Sequence, residues 1–236
     1  MSLLEKVIYG IFPRTCVFCD EVINDERGIC INCEKLIEYV EEPKCKKCGK
    51  PVTNEEQEYC YDCTKIQHIY MRGFSTYIYN EVVKESIYRF KYHNRREYAK
   101  YYGESICYRF ADEIKRLGIE AIIPVPIHRK KQLERGYNQA ELIARVIGNE
   151  MKLPVVSDLL IRQKYTKPQK ELSNSERGKN LENAFIVTEN VVKCKKVLLV
   201  DDIYTTGSTV DACSKVLLEA GAESVYFVSI SIGTGI

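Results

Sequence analysis

From residue 69 onward the chain alternates short apolar runs with longer stretches of helical period. Residues 73–79 read as a strand, and Asn80 behind them caps a helix carrying Val83, Ile87 and Phe90 on one face. A longer helix is predicted over 97–117. It stops at Gly118, because glycine takes the left-handed conformation that closes a helix without strain. Residues 121–125 form an apolar strand ending in Pro124-Val125-Pro126, and 138–151 return to helical period. The polar stretch 163–180 has no usable period and reads as a long loop with one helical turn. A short strand at 184–187, an all-apolar strand at 197–200, a helix over 206–220 and a strand at 225–230 complete the series. An uninterrupted apolar run marks a strand buried on both faces. Strand–helix alternation argues for an α/β fold, a mostly parallel sheet flanked by helices.

The first 68 residues break that pattern. They are polar and turn-rich, and they hold eight of the 11 cysteines in four Cys-x-x-Cys pairs: Cys16/Cys19, Cys30/Cys33, Cys45/Cys48 and Cys60/Cys63. The shift predicts two domains, 1–68 and 69–236. The first and third pairs open similar strings, Cys-Val-Phe-Cys-Asp-Glu-Val and Cys-Lys-Lys-Cys-Gly-Lys-Pro-Val, so the region reads as two copies of one unit, 16–33 and 45–63. Two thiolates two residues apart suit one tetrahedral ion, most simply Zn²⁺, and eight ligands call for two ions. Sequential pairing puts Cys16, Cys19, Cys30 and Cys33 on one ion and Cys45, Cys48, Cys60 and Cys63 on the other; an interleaved cross-brace uses the same ligands. A segment this small has little core and needs the metal to fold. Cys107, Cys194 and Cys213 read as small buried hydrophobes, and His68 is superfluous to a complete ligand set.

Composition adds bounds. With 236 residues, 45% hydrophobic and 29% charged, a packed core plus a small module is feasible and wholesale disorder is excluded. A net charge of +2 rules out a polycation, so any nucleic-acid surface is a local patch. Residues 1–11 form a short amphipathic stretch containing Glu5 and Lys6, not a secretory leader, and no run reaches transmembrane length. A cytoplasmic location is expected, where paired cysteines read as metal ligands before disulfides.

The densest chemistry lies at 197–209. Four apolar residues deliver Asp201 and Asp202 to the C-terminal end of a buried strand, where open α/β sheets bind ligands. Thr205, Thr206, Gly207, Ser208 and Thr209 then open a helix, whose free N–H groups and partial positive charge suit a phosphate. The carboxylates are too negative to hold phosphate and suit sugar hydroxyls instead, so the segment is shaped for a phosphorylated ribose. It is neither a Walker A loop nor a G-x-G-x-x-G turn.

This segment resembles the thirteen-residue phosphoribosyl-pyrophosphate (PRPP) signature of type I phosphoribosyltransferases. The resemblance implies Asp201 and Asp202 on the ribose 2′ and 3′ hydroxyls at the reaction centre, Thr205 to Thr209 around the 5-phosphate, and Mg²⁺ arriving with PRPP. Pro124-Val125-Pro126, the run from Arg135 through Gly136, Tyr137 and Asn138 to Ala144, and Thr166, Gln169, Leu172, Arg177, Asn180 and Phe185 resemble the ComF competence-protein family, whose double zinc ribbon the cysteine pairs also match. That family implies a part in natural transformation: handling of incoming single-stranded DNA beside the uptake machinery and a helicase. In the implied fold Pro126 belongs to the pyrophosphate loop, and Arg135 is a candidate PRPP contact. The loop at 163–180, with Lys164, Lys167, Lys170 and Arg177, matches one that closes over PRPP in related enzymes. Purine-salvage members carry an aspartate where this chain has Thr205, so the resemblance lends no support to purine salvage.

Two basic stretches remain. Residues 88–96 interleave Tyr88, Phe90 and Tyr92 with Arg89, Lys91, Arg95 and Arg96, a mixture that suits single-stranded nucleic acid; a helix end with a basic last turn accounts for it equally. Arg129, Lys130, Lys131 and Arg135 suit a diphosphate or a nucleic-acid backbone, or form a solvated loop. Three functions stay open at this stage: a DNA-uptake factor with a PRPP-type pocket, a phosphoribosyltransferase acting on an unknown small nucleophile, and a PRPP-sensing regulator.

Overall fold

The computed structural model describes residues 13–24, 26–163, 183–188 and 194–233; the expectations for 1–11 and for Lys164, Thr166, Lys167, Gln169, Lys170, Leu172, Arg177 and Asn180 fall outside them. In chain order the elements are α1 (Ile31–Glu34), α2 (Tyr61–Lys65), β1 (Gly73–Ile78), α3 (Glu81–Tyr92), α4 (Tyr98–Leu117), β2 (Ala121–Pro124), α5 (Arg129–Arg135), α6 (Gln139–Met151), β3 (Leu160–Arg162), β4 (Phe185–Val187), β5 (Lys196–Tyr204), α7 (Ser208–Glu219) and β6 (Ser224–Ile232). Four strands make a parallel sheet in the order β1, β6, β5, β2.

The apolar run of β5 is central in that sheet, and its alternation separates two cores. Leu198 and Val200 enter one core with Phe90, Tyr102, Ile106, Ile143 and Ile147 of α3, α4 and α6. Val197 and Leu199 enter the other with Val210 and Leu217 of α7 and with Leu160 and Phe185. Each core also takes in one cysteine unit: Cys16, Phe18 and Cys33 join the first, Cys45, Cys48 and Cys60 the second. Where α4 crosses α6 the backbones approach closely, and a Cβ on Gly103 would lie 2.5 Å from that of Val146.

Both sheet edges are covered, which removes open pairing sites. Beside β1, Val40 N–H donates to Thr76 O at 3.0 Å and Ile78 N–H to Glu38 O at 2.8 Å. Beside β2, Val155 bridges Ile122 in parallel.

The structure differs from the expectation in three respects. The basic residues after Pro126 form a helix, α5, capped by His128 and closed by left-handed Gly136 at φ 76°, where the sequence pattern predicted no helix. The strand expected at 184–187 does not join the main sheet; β4 pairs antiparallel with β3 as a separate ribbon. The last strands run longer than their apolar cores. β5 continues through both aspartates to Tyr204, because β6 pairs with it to Ile232, and α7 starts only at Ser208, after Gly207 at φ 80°.

Candidate functional site

A cavity of about 550 Å³ opens at the C-terminal end of β5. Asp201, Asp202, Thr205 and Thr209 line it from β5 and the start of α7; Val125, Pro126 and Lys131 from the β2–α5 segment; Arg135 and Asn138 from the turn into α6; and Lys91 and Tyr92 from the end of α3. The site is built from chain ends that short connections bring together. Asn138 shows how: its side chain caps α6 through Ala140 N–H (3.1 Å) and donates to Val125 O (3.0 Å), tying the α6 start to the Pro126 loop.

Electrostatics favour an anionic ligand with hydroxyls. Five cationic side chains line the cavity (Lys84, Lys91, Lys131, Arg135 and Arg162) against three acids (Glu81, Asp201 and Asp202). Burial, and then the charge of Asp202, push the Asp201 carboxyl up to about 7. The Asp202 N–H, 2.8 Å from Asp201 Oδ1, together with Lys91 and Arg162, works the other way. Burial pushes the Lys131 ammonium down, helped by the like charges of Arg162, Arg135 and Lys91. Lys91 Nζ lies 2.7 Å from Asp202 Oδ2. Arg135 donates to Gln139 Oε1 (2.9 Å) and to Tyr92 Oη (3.0 Å) while its guanidinium stacks 4.8 Å from the Tyr92 ring centre.

Not every residue of the Thr205–Thr209 turn faces the cavity. Thr206 Oγ1 and Ser208 Oγ bond each other at 2.9 Å. Gly207 backs onto the cysteine-rich region, where a Cβ would meet His68 Cε1 at 2.7 Å. Glycine is required there twice, by its positive φ and by that contact. His68 Nδ1 in turn bonds Asp211 Oδ2 in the first turn of α7 at 2.6 Å, Ile69 N–H donates to Asp211 Oδ1 at 3.1 Å, and Tyr70 and Tyr204 hydroxyls meet at 2.6 Å.

The six cations considered for DNA do not form one surface. Lys91 and Lys131 turn into the cavity. Arg95 is held by an ion pair with Asp20, and Arg96 stacks 4.8 Å from the Tyr137 ring centre. Arg129 and Lys130 are exposed on α5. Arg162 escaped the sequence reading because it sits in a three-residue strand beside the long loop, with no periodic signal.

The cysteines group sequentially: within each set, Cys16, Cys19, Cys30, Cys33 and Cys45, Cys48, Cys60, Cys63, the sulfurs lie within 4.8 Å of one another. A Zn–S bond of about 2.3 Å gives a tetrahedral S···S edge of about 3.8 Å, against 3.8 Å for Cys19–Cys30 and 3.5 Å for Cys48–Cys60. Both sets suit Zn²⁺. The repeat is visible in the backbone as well. Asp20 N–H donates to Cys16 O and Gly49 N–H to Cys45 O, each from a left-handed residue, and Thr15–Val22 and Lys44–Pro51 bridge alike. Among the described residues, no helix is long and apolar enough to cross a membrane.

Comparison with known proteins finds two matching family models. The double zinc ribbon domain family matches residues 7–64, and the phosphoribosyl transferase domain family matches residues 133–231. Competence protein F of Haemophilus influenzae is 33% identical over 222 residues, 91% of this chain and 95% of its own. Competence protein ComFC of Bacillus subtilis is 26% identical, over 90% and 92% of the two chains. DNA utilization protein YhgH of Escherichia coli K12 is 27% identical, over 84% and 87%.

Proposed function

This chain belongs to the competence protein F and ComFC family, and from that premise we propose that it serves DNA uptake in natural transformation, handling incoming single-stranded DNA, with a pocket that binds PRPP or a related ribose 5-phosphate. One observation carries the pocket reading: two adjacent carboxylates at the end of β5 face a cavity whose remaining charges are in cationic excess. In this reading Asp201 and Asp202 accept hydrogen bonds from the ribose hydroxyls. Thr205 and Thr209, with the free N–H groups of the α7 start, hold the 5-phosphate. Lys131, Arg135 and the Pro126 loop hold the diphosphate. Mg²⁺ carried by the diphosphate would neutralise its charge.

The DNA part of the proposal rests on the family. Arg129 and Lys130 on α5 and Arg96 over the Tyr137 ring are its candidate phosphate contacts, and a helicase of the uptake machinery is its candidate partner. Phosphoryl-ribose transfer to a small nucleophile is the second reading. For it the pocket offers positioning and charge stabilisation, with no aspartate at the position of Thr205.

Calorimetric titration with Mg²⁺ and PRPP tests the pocket. Wild type should bind saturably, and the Asp201→Asn/Asp202→Asn double variant should not. Equal heats from both would remove ribose recognition. Repeating the titration with a short single-stranded DNA at two salt concentrations reads DNA affinity, which should fall steeply with salt. Pyrophosphate release across an acceptor panel separates transfer from sensing.

A further inference from the structure

Asp202 is not a waiting acceptor. Its carboxylate is held by Lys91 at 2.7 Å, and both side chains are only 17% exposed. A ribose hydroxyl that takes Asp202 Oδ2 therefore competes with an ammonium for a charge-assisted bond between two largely buried side chains. The released ammonium stays in the cavity, on the flexible four-carbon stem of a lysine. It joins a crowded cationic cluster, since Lys131 already feels Arg162, Arg135 and Lys91 as like charges. Moving Lys91 off Asp202 into that cluster without a new anionic partner is unfavourable, and a second anionic group on the ligand reverses the sign.

We propose that Lys91 is the specificity-determining residue by which this cavity selects a ribose 5-phosphate bearing a diphosphate at C1 over ribose 5-phosphate itself. In the free protein it pairs with Asp202; on binding it passes to the diphosphate. A ligand anionic at one end only breaks the Lys91–Asp202 pair without replacing it. This role rests on reading the cavity as a ribose-phosphate site.

The position of Lys91 suits the role. It closes the series Val83, Ile87, Lys91 at intervals of four, so it sits on the buried stripe of α3 and not on its solvent face. The helix itself is fixed from behind, with Ser86 donating to Val17 O and Arg89 to Phe18 O, so the lysine is delivered from a rigid base.

The test is calorimetry with Mg²⁺–PRPP and with ribose 5-phosphate, each on wild type, Lys91→Met and Lys91→Arg. The ratio of the two affinities in one preparation does not depend on how much of it is folded. Should Lys91→Met fail to fold, Lys91→Gln carries the same measurement. Wild type should prefer PRPP, and in Lys91→Met that preference should shrink by on the order of tenfold or more, the size expected for one charged hydrogen bond. Ribose 5-phosphate affinity should hold or rise, and Lys91→Arg should keep the preference. An equal loss for both ligands, or an unchanged ratio, overturns the assignment while leaving the cavity reading intact. Wild type that binds neither ligand overturns both.

Discussion

The two zinc ribbons share their cysteine pairing and local backbone, yet they serve different faces of the sheet. The first presses Phe18 edge-on against Tyr77, Tyr101 and Tyr102, with ring centres 5.5, 5.7 and 6.3 Å apart, and Asp20 ties it to Arg95 and Tyr98. Its footing is α4 and α3, the helix that brings Lys91 to the cavity. The second reaches the other face. Lys47 O accepts from Gly73 N–H at 2.9 Å, the Lys47 ammonium lies 5.3 Å from the Tyr70 ring centre, and His68 and Tyr70 just beyond the ribbon brace Asp211 and Tyr204. Its footing is the turn that carries Thr205 and Thr209. A duplicated metal unit has thus been used once for each wall of one pocket. The difference lies in the residue just before the second cysteine of the pair: Phe18 in the first Cys-x-x-Cys, Lys47 in the third.

Removing one ligand from each ribbon separates the walls most strongly. Cys19→Ser and Cys48→Ser should each lower bound zinc from two ions to one per chain, by elemental analysis, and cost more than about 3 kcal/mol in denaturant unfolding. Cys48→Ser should abolish ribose 5-phosphate binding, whereas Cys19→Ser should chiefly erode the preference for PRPP. Next in size is Phe18→Ala, which empties a site 2% exposed and should cost about 3–5 kcal/mol in urea unfolding. A smaller loss, about 1–3 kcal/mol, is expected for His68→Ala, which leaves the Asp211 carboxylate with Ile69 N–H but without its side-chain partner. His68→Asn, which keeps a polar group near the Nδ1 position, should recover much of it.

The mildest perturbation acts on the cavity floor and has a definite sign. Asp201 titrates at about 7 in the folded chain, raised by burial and then by Asp202. The folded state therefore keeps a proton that the unfolded chain has already lost, and stability falls as pH rises from about 4 to about 7, then levels. Asp201→Asn should melt higher than wild type at pH 8, by on the order of 1–2 kcal/mol, and the gain should vanish near pH 4. PRPP affinity of wild type should rise across the same interval as the carboxylate forms. A gain independent of pH would show that Asp201 carries no such penalty.

Much of this was legible in the sequence where the chemistry is local. Four Cys-x-x-Cys pairs and the run from Val197 to Thr209 declare themselves because ligand and scaffold lie within a few residues. The hidden contacts are those between distant segments. His68 meets Asp211 across 143 positions, and nothing near either residue hints at the other. Lys91 was readable in part: its spacing from Val83 and Ile87 places it on the inner stripe of α3, but the aromatic and basic residues around it pointed to an exposed surface. The run at 129–135 hid a helix because its cap, His128, and its stop, Gly136, bracket residues with no apolar face.

Hydrogen–deuterium exchange on the two zinc-ligand variants tests most directly whether each ribbon holds its own wall. Cys48→Ser should speed exchange of the amides of α7 and of the turn between Tyr204 and Ser208 while those of α3 stay as in wild type, and Cys19→Ser should do the reverse. Faster exchange of both walls in both variants would mean that the ribbons stabilise the fold as a whole, and the division of labour drawn from their contacts would be wrong.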